Sequence, residues 1–273
     1  VQLEDHAGDI VRKARSLNNL SAAAVAVKTG ISEADLTAFE ATGTASPKIN
    51  YSTLAQAVGL NAEKFIAVAN GWLPTPRTLA NWRELRVFTT AGDGLTVNSY
   101  LVWDPATRHA ALFDTGVDAQ PVLNCIAAEG LSLQHIFITH SHWDHIDALP
   151  KFHAAWPEAR LHSNIKKVPA SQRNQPGETI PLGSLHIAHR DTPGHAEDGV
   201  TYLISGWPGN APLVAVVGDT IFAGSMGGGN GAWELALQKV RAEILSLPPE
   251  TLLCSGHGPL TTVAEEKAHN PFF

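Results

Sequence analysis

The chain has 273 residues, enough for two domains, and its 44% hydrophobic and 16% charged content allows a large core under a largely neutral surface. A net charge of −7 argues against non-specific attraction to nucleic acid or anionic membranes. Two cysteines, Cys125 and Cys254, make no disulfide framework and suit a reducing, cytoplasmic compartment, and no run approaches the roughly 18 apolar residues of a membrane span.

Residues 1–70 read as a series of short helices. Apolar residues recur at helical spacing through "VRKARSLNNLSAAAVAVKTGISEADLTAFEATG", interrupted at Gly30. Ser21 and Ser32 stand where N-caps belong, ahead of the Ala-rich stretch and of "EADLTAFE". "YSTLAQAVG" and "NAEKFIAVANG" add two helices, each closed by a glycine. "GWLPTPRT" (71–78) then reads as a linker and sets a boundary between a domain of residues 1–76 and one of residues 77–273.

From about residue 83 the rhythm changes to short strands bounded by Gly, Pro and Asp. "TVNSYLVWD", "HAALFDTG", "HIFITH", "SLHIAHRD", "VTYLIS" and "PLVAVVGD" are the clearest, with helical stretches "AQPVLNCIAAEG" and "ELALQKVRAEILSL" among them. Strands mixed with helices in this way predict a layered α/β arrangement.

The strand ends carry potential metal ligands. "HIFITH" delivers His140 and then His142, two residues apart and able to face one side of an extended segment, and Asp144 and His145 follow at the start of a helix. "RDTPGHAEDG" supplies His195 after a Pro-Gly turn, "VAVVGDT" ends in Asp219, and "LLCSGHGP" places His257 between two glycines. A histidine alone is more often a surface or core residue, and His6, His109, His135, His153, His162, His186, His189 and His269 are read that way. Four such residues within six positions differ in kind, and the three later strand exits complete what two nearby divalent ions require. Imidazole and carboxylate suit Zn²⁺, Fe²⁺ or Mn²⁺, and an aspartate can bridge two ions.

"THSHWDH" resembles the H-x-H-x-D-H signature of the metallo-β-lactamase superfamily, and "TPGH", "GDT" and "GHGP" resemble its later motifs in order, over roughly residues 85–273. "NSYLV", "FDTG", "TPGHAEDGVTYL", "GDTIFAGS" and "GHGPLTTVAEEKAHNPFF" are similar to its glyoxalase II-like, or hydroxyacylglutathione hydrolase-like, branch. The resemblance implies a four-layer αββα sandwich with metals at one edge of the two sheets, preceded here by the small all-α domain. It implies that His140, His142 and His195 hold one ion, that Asp144, His145 and His257 hold a second, and that Asp219 bridges them. Asp144 and Asp219 are then the catalytic carboxylates. Zinc is the first expectation for both ions, with iron(II) and manganese(II) as alternatives. The implied reaction is hydrolysis of a thioester or ester carbonyl of a small acyl substrate by hydroxide generated at the metals. A lactonase and a single-iron persulfide dioxygenase are the alternatives. Asp114 of "FDTG" falls where family members keep an aspartate that steadies the site, and it reads equally as a strand-end turn residue. Cys254 and Tyr202 are read as core residues.

This chain departs from the branch at "GSMGGGNGAW" (224–233), which lacks the usual arginine-containing stretch, and at "IDAL", where the branch has glycine. The first reads as a flexible wall of the site. Both bear on glutathione recognition and leave the metal ligands intact.

Residues 8–70 resemble the lambda-repressor-like helix-turn-helix family, with Gly30 in the turn and residues 32–40 as the recognition helix. That resemblance implies a rival function, a DNA-binding regulator with a metallohydrolase-like sensor domain. Six basic residues in 1–76 (Arg12, Lys13, Arg15, Lys28, Lys48, Lys64) stand against seven acidic ones, and Glu33 and Asp35 open the would-be recognition helix. Because DNA affinity rests on neutralising phosphates, the expectation is an enzyme that binds neither nucleic acid nor membrane. Its helical domain would serve packing or homodimer formation.

Overall fold

The computed structural model describes residues 2–44 and 49–273, so Lys48 lies outside the described residues. Five short helices come first: α1 (Ala7–Leu17), α2 (Ala22–Thr29), α3 (Glu33–Thr42), α4 (Tyr51–Ala57) and α5 (Ala62–Ala69). Their ends follow local chemistry. Ser21 Oγ accepts from Ala24 N at 3.1 Å and Ser32 Oγ from Asp35 N at 3.0 Å, so both expected caps form. The α2 helix stops at Gly30, in the left-handed region at φ +73°, where a side chain would be strained. Too short to be stable alone, these helices pack Ile10, Val11, Leu36, Phe39, Leu54 and Phe65 into one core. That core extends to Met226, Ala236 and Phe272, so the helical segment is bonded by burial to the rest of the chain.

Eleven strands follow among the described residues, in two sheets. The first has the order β1 (Leu85–Gly92), β2 (Leu95–Trp103), β3 (His109–Phe113), β4 (Ser132–Phe137), β5 (Arg160–His162), antiparallel up to β3 and parallel from β3 to β5. The second runs β11 (Thr261–Thr262), β10 (Leu252–Ser255), β9 (Val214–Gly218), β8 (Val200–Ser205), β7 (Leu185–Asp191), β6 (Thr179–Leu182), with only β9 and β10 parallel.

Side-chain alternation makes four layers. On β2, Tyr100 and Val102 face the second sheet and meet Phe113, Phe137, Tyr202, Val214 and Val216. Their neighbours Leu101 and Trp103 face the other way, under α6 (Gln120–Glu129) and α8 (Leu149–Ala155), which contribute Val122, Ile126 and Phe152. On the far side, Ala215, Val217 and Leu253 lie beneath the π-helical turn Val240–Ile244 and α10 (Val263–His269), while α9 (Trp233–Lys239), which leads into that turn, packs on the helical core. No helix of the described residues is long and apolar enough to cross a membrane.

One buried carboxylate joins α10 to the loop after β9. Glu266 accepts from Gly224 N (3.0 Å), Asn270 Nδ2 (2.8 Å) and Thr261 Oγ1 (2.7 Å). Burial still pushes its carboxyl up from 4.5 to about 7, against those three donors, with Glu265 adding repulsion and Lys64 the nearby positive charge. Between those values the folded chain keeps a proton that the unfolded chain has lost, so stability falls as pH rises across that window. Glu266→Gln keeps the shape without the charge. Its unfolding free energy from urea titration should match the parent's at the low end of the window and exceed it above pH 7, by on the order of 3 kcal/mol at most. Parallel pH profiles for the two proteins would contradict this assignment.

Candidate metal centre

The ladder of β4 ends beyond Phe137 because the next donor is diverted. Ile138 N still makes the last ladder bond, to His162 O of β5 at 2.9 Å, but Thr139 N goes to Asp114 Oδ1 at 2.8 Å. The strand read from sequence as running to His140 is therefore three residues shorter, and the chain freed from it swings over the rim of the sandwich. His140 and His142 lie on this free segment, and α7 (Trp143–Ile146) begins at once, carrying Asp144 and His145. His195 lies between β7 and β8, Asp219 one residue past β9, and His257 two residues past β10.

All seven sequence-derived candidates come together at this rim. Donor atoms of His140, His142 and His195 lie within 4.8 Å of one another, as do those of Asp144, His145 and His257. His142 Nδ1 is 3.0 Å from both His140 Nε2 and His195 Nε2. On the other side, His257 Nε2 is 3.3 Å and His145 Nε2 3.6 Å from Asp144 Oδ2. Asp219 stands between the two groups: Oδ2 is 3.3 Å from His257 Nε2 and 3.5 Å from His195 Nε2, and Oδ1 is 3.3 Å from His145 Nε2.

The nitrogens that point away from this centre are held by fixed acceptors. His145 Nδ1 meets Asp114 Oδ2 at 2.8 Å, His195 Nδ1 meets Gly228 O at 3.0 Å, and His257 Nδ1 meets Thr96 O. A ring that donates from Nδ1 presents its Nε2 lone pair to the centre, the tautomer that ligation needs. Asp114, which the sequence left as either turn residue or support, is a support. It sits at φ +53°, an unusual conformation for a non-glycine, and three hydrogen bonds from Thr139 and His145 offset that strain.

The residues fit divalent ions on two grounds. His145 Nε2 and Asp219 Oδ1 are buried and make no hydrogen bond, an arrangement that costs about 1–3 kcal/mol per atom unless a cation satisfies both. The electrostatics ask for positive charge as well. Although burial opposes it, the carboxylates of Asp114 and Asp219 push the His145 imidazole up to about 10, and Asp144 and Asp219 push His257 up to about 11. Burial also opposes the ionised form of Asp219, yet the surrounding imidazoles hold that carboxyl well below the usual range. Close packing leaves no slack: a Cβ on Gly256 would come 2.1 Å from Asp219 Oδ1, so only glycine fits before His257.

Sequence reading missed the outer supports. Thr96 and Gly228 act through backbone carbonyls, which leave no signature in residue type. Of the loop expected to be a flexible wall (224–233), the first four residues, 224–227, are buried and braced by the helical segment, whereas Asn230 and Gly231 are exposed. Lys13 Nζ of α1 donates to Met226 O at 2.8 Å and pairs with Asp5, which accepts from Ser225 Oγ. Two residues on, Gly228 O orients His195. Cys254 and Tyr202 are buried as expected, and the Tyr202 hydroxyl lies 3.1 Å from Ile138 O, where β4 hands over to the ligands.

The sequence profile of the metallo-β-lactamase superfamily matches residues 92–257. The chain belongs to this superfamily. Members of this superfamily bind divalent metals, typically two. The chain is 32% identical over 187 residues to the probable metallo-hydrolase YqgX of Bacillus subtilis (strain 168), across 59% of this chain and 85% of that one. With the hydroxyacylglutathione hydrolase of Fuscovulum blasticum it shares 33% over 163 residues, 58% of this chain and 61% of the relative, so it spans less than two thirds of that protein. The crystal structure of the B3 metallo-β-lactamase BLEG-1 superposes with a TM-score of 0.60 at 27% identity, over 69% of this chain and 98% of that one.

Two substitutions probe the supports. In Asp114→Asn the amide that replaces Oδ2 cannot accept from His145 Nδ1, so the ring proton moves to Nε2. Chelator competition should show metal affinity lower by roughly 10–100-fold. Lys13→Met should loosen the loop and lower affinity in the same direction by a smaller factor. Unchanged affinity in both would leave the outer contacts without a role in the site.

Proposed function

We propose that this chain is a dinuclear-metal hydrolase that cleaves a thioester or ester carbonyl of a small acyl substrate. The observation that supports it most is the pair of ligand groups converging on opposite sides of one buried carboxylate, Asp219. His140, His142 and His195 would hold one ion, Asp144, His145 and His257 the other, and Asp219 would touch both. Zinc suits this nitrogen-rich set first, with iron(II) and manganese(II) compatible. When bound, such ions lower the pKa of a coordinated water towards about 7 and polarise a carbonyl oxygen.

The chain's own residues supply position and exclusion. Asp114, Thr96 and Gly228 fix three imidazoles in one tautomer, so the ligand geometry is set before substrate arrives. Phe222, whose ring is 5.8 Å from that of His257, and buried Thr220 shield the centre from bulk water. No cysteine is available as a nucleophile near the ligands: Cys254 is fully buried, and that burial pushes its thiol above the ordinary range.

The helical segment reads best as scaffold. Its α2 helix ends at Gly30 and α3 follows, but Glu33 and Asp35 open α3 with no basic residue in its last turn. Carboxylates there would repel phosphates.

Protein purified without chelator should carry close to two metal ions per chain by elemental analysis. Asp219→Ala should lower that occupancy and cut thioester turnover by more than the roughly 10–100-fold that loss of an outer partner costs. Turnover in the parent should proceed without oxygen consumption. One iron per chain and oxygen uptake with persulfide would replace hydrolysis by dioxygenation, and sub-micromolar, salt-sensitive binding of mixed-sequence duplex by the full chain would restore the regulator.

A further inference from the structure

Sheet two ends in β11, a strand of two residues, and so stops short of the outer part of the β1–β2 hairpin. Val87 and Thr89 on β1, with Thr96 and Asn98 on β2, lie on the same inward face as Tyr100, at the margin of the second sheet, where Asn98 still reaches Ser255 at the end of β10. The segment that joins the helices to β1 roofs this margin. Together they line a cavity of about 900 Å³ that is partly open to solvent, at the upper end of the range for small-molecule sites.

Its walls are mostly apolar: Leu73, Pro76, Leu79, Val87, Pro259 and Leu260. The polar groups that reach it are largely paired with one another. Thr89 Oγ1 donates to Asn98 Oδ1 (2.7 Å), Asn98 Nδ2 donates to Ser255 O and Gly258 O, and Arg77 pairs with Glu265 at 2.9 Å. Leu73 is 45% exposed, one of the few large apolar side chains left uncovered among the described residues. No free cation therefore waits in this cavity for a carboxylate; what it offers is apolar surface. The cavity reaches the outer side of His257. Thr96, whose carbonyl holds His257, and Gly258, the residue after His257, both line it, and Glu4 packs beside Gly258 at that end.

We infer that this cavity binds an uncharged aliphatic chain of the substrate, whose reacting carbonyl then lies beyond His257 at the metal ligands. The inference rests on the hydrolase reading and narrows it: the preferred substrate carries a medium-length alkyl chain, and the two carboxylates of a glutathionyl group find no free cation here. Burial of each methylene is expected to raise kcat/KM by roughly fourfold, the equivalent of about 0.8 kcal/mol, until the cavity is full.

The test uses two series of thioesters with the full chain. One runs from acetyl to decanoyl on a short uncharged thiol; the other joins acetyl to thiols of the same range of lengths. A rise in kcat/KM with length is expected in one series, which places the chain on the acyl or the thiol side. Leu73→Glu puts a carboxylate in the wall at an exposed position that the fold tolerates, and it should flatten that rise at least tenfold at the longest substrate. Calorimetry with an uncleavable decyl thioether reads binding independently of turnover, and should lose at least tenfold in affinity with Leu73→Glu. Hydrolysis with no dependence on length, or a rise that Leu73→Glu leaves intact, overturns the cavity assignment and spares the hydrolase. Binding of the thioether that depends on Leu73, without hydrolysis of any thioester, upholds the cavity and removes the hydrolase reading.

Discussion

The carboxylate of Asp114 occupies the point where the sheet, the first ligand segment and the second ligand group meet. One oxygen takes the backbone of Thr139 just where β4 would have continued, so the strand ends and the histidines are set free. The other takes the Thr139 hydroxyl and the ring of His145. Termination of a strand and orientation of an imidazole are usually separate tasks; here one buried group does both, and the two sheets are further pinned at this rim by Val200 N to Thr139 O at 2.8 Å. A carboxylate can be buried this completely because both of its oxygens accept hydrogen bonds, three in all.

A second layer of support comes from outside the sandwich. The loop after Asp219 is not held by strands, and its backbone would be free to wander without the contacts from Lys13, Asp5 and Glu266. Its glycines permit that closeness: a Cβ on Gly227 would sit 1.9 Å from Asp219 O. The helical segment thus gives the metal rim a wall that the two sheets cannot provide by themselves, and the same segment, through its connection to β1, roofs the apolar cavity.

Much of this was legible in the sequence, and the rest was hidden for physical reasons. The interior strands announce themselves, since β2, β3, β4 and β7 to β10 are buried on one or both faces and read as apolar runs. The four strands that did not stand out, β1, β5, β6 and β11, are the four sheet edges, which are short or carry polar residues as edges must. Likewise the ligands are visible because metal chemistry demands particular side chains at particular spacings. Thr96, Gly228 and Met226 act through carbonyls that any residue possesses, and the brace from Lys13 joins positions more than two hundred residues apart. Such contacts belong to the fold and have no local pattern.

The helical core has one further property. Ile10 and Leu54 share it with Phe272, and Asn61 N is bonded to Pro271 O at 2.9 Å. The first five helices are therefore made long before the last of their packing partners. At a synthesis rate of roughly 5–20 residues per second, the α1–α5 segment would wait on the order of 10–40 s with part of its apolar surface in water. Contacts so distant in sequence also close slowly, because the loop entropy must be overcome before they contribute. The order of synthesis and the order of stabilisation run in opposite directions here: the segment born first is the last to be sealed.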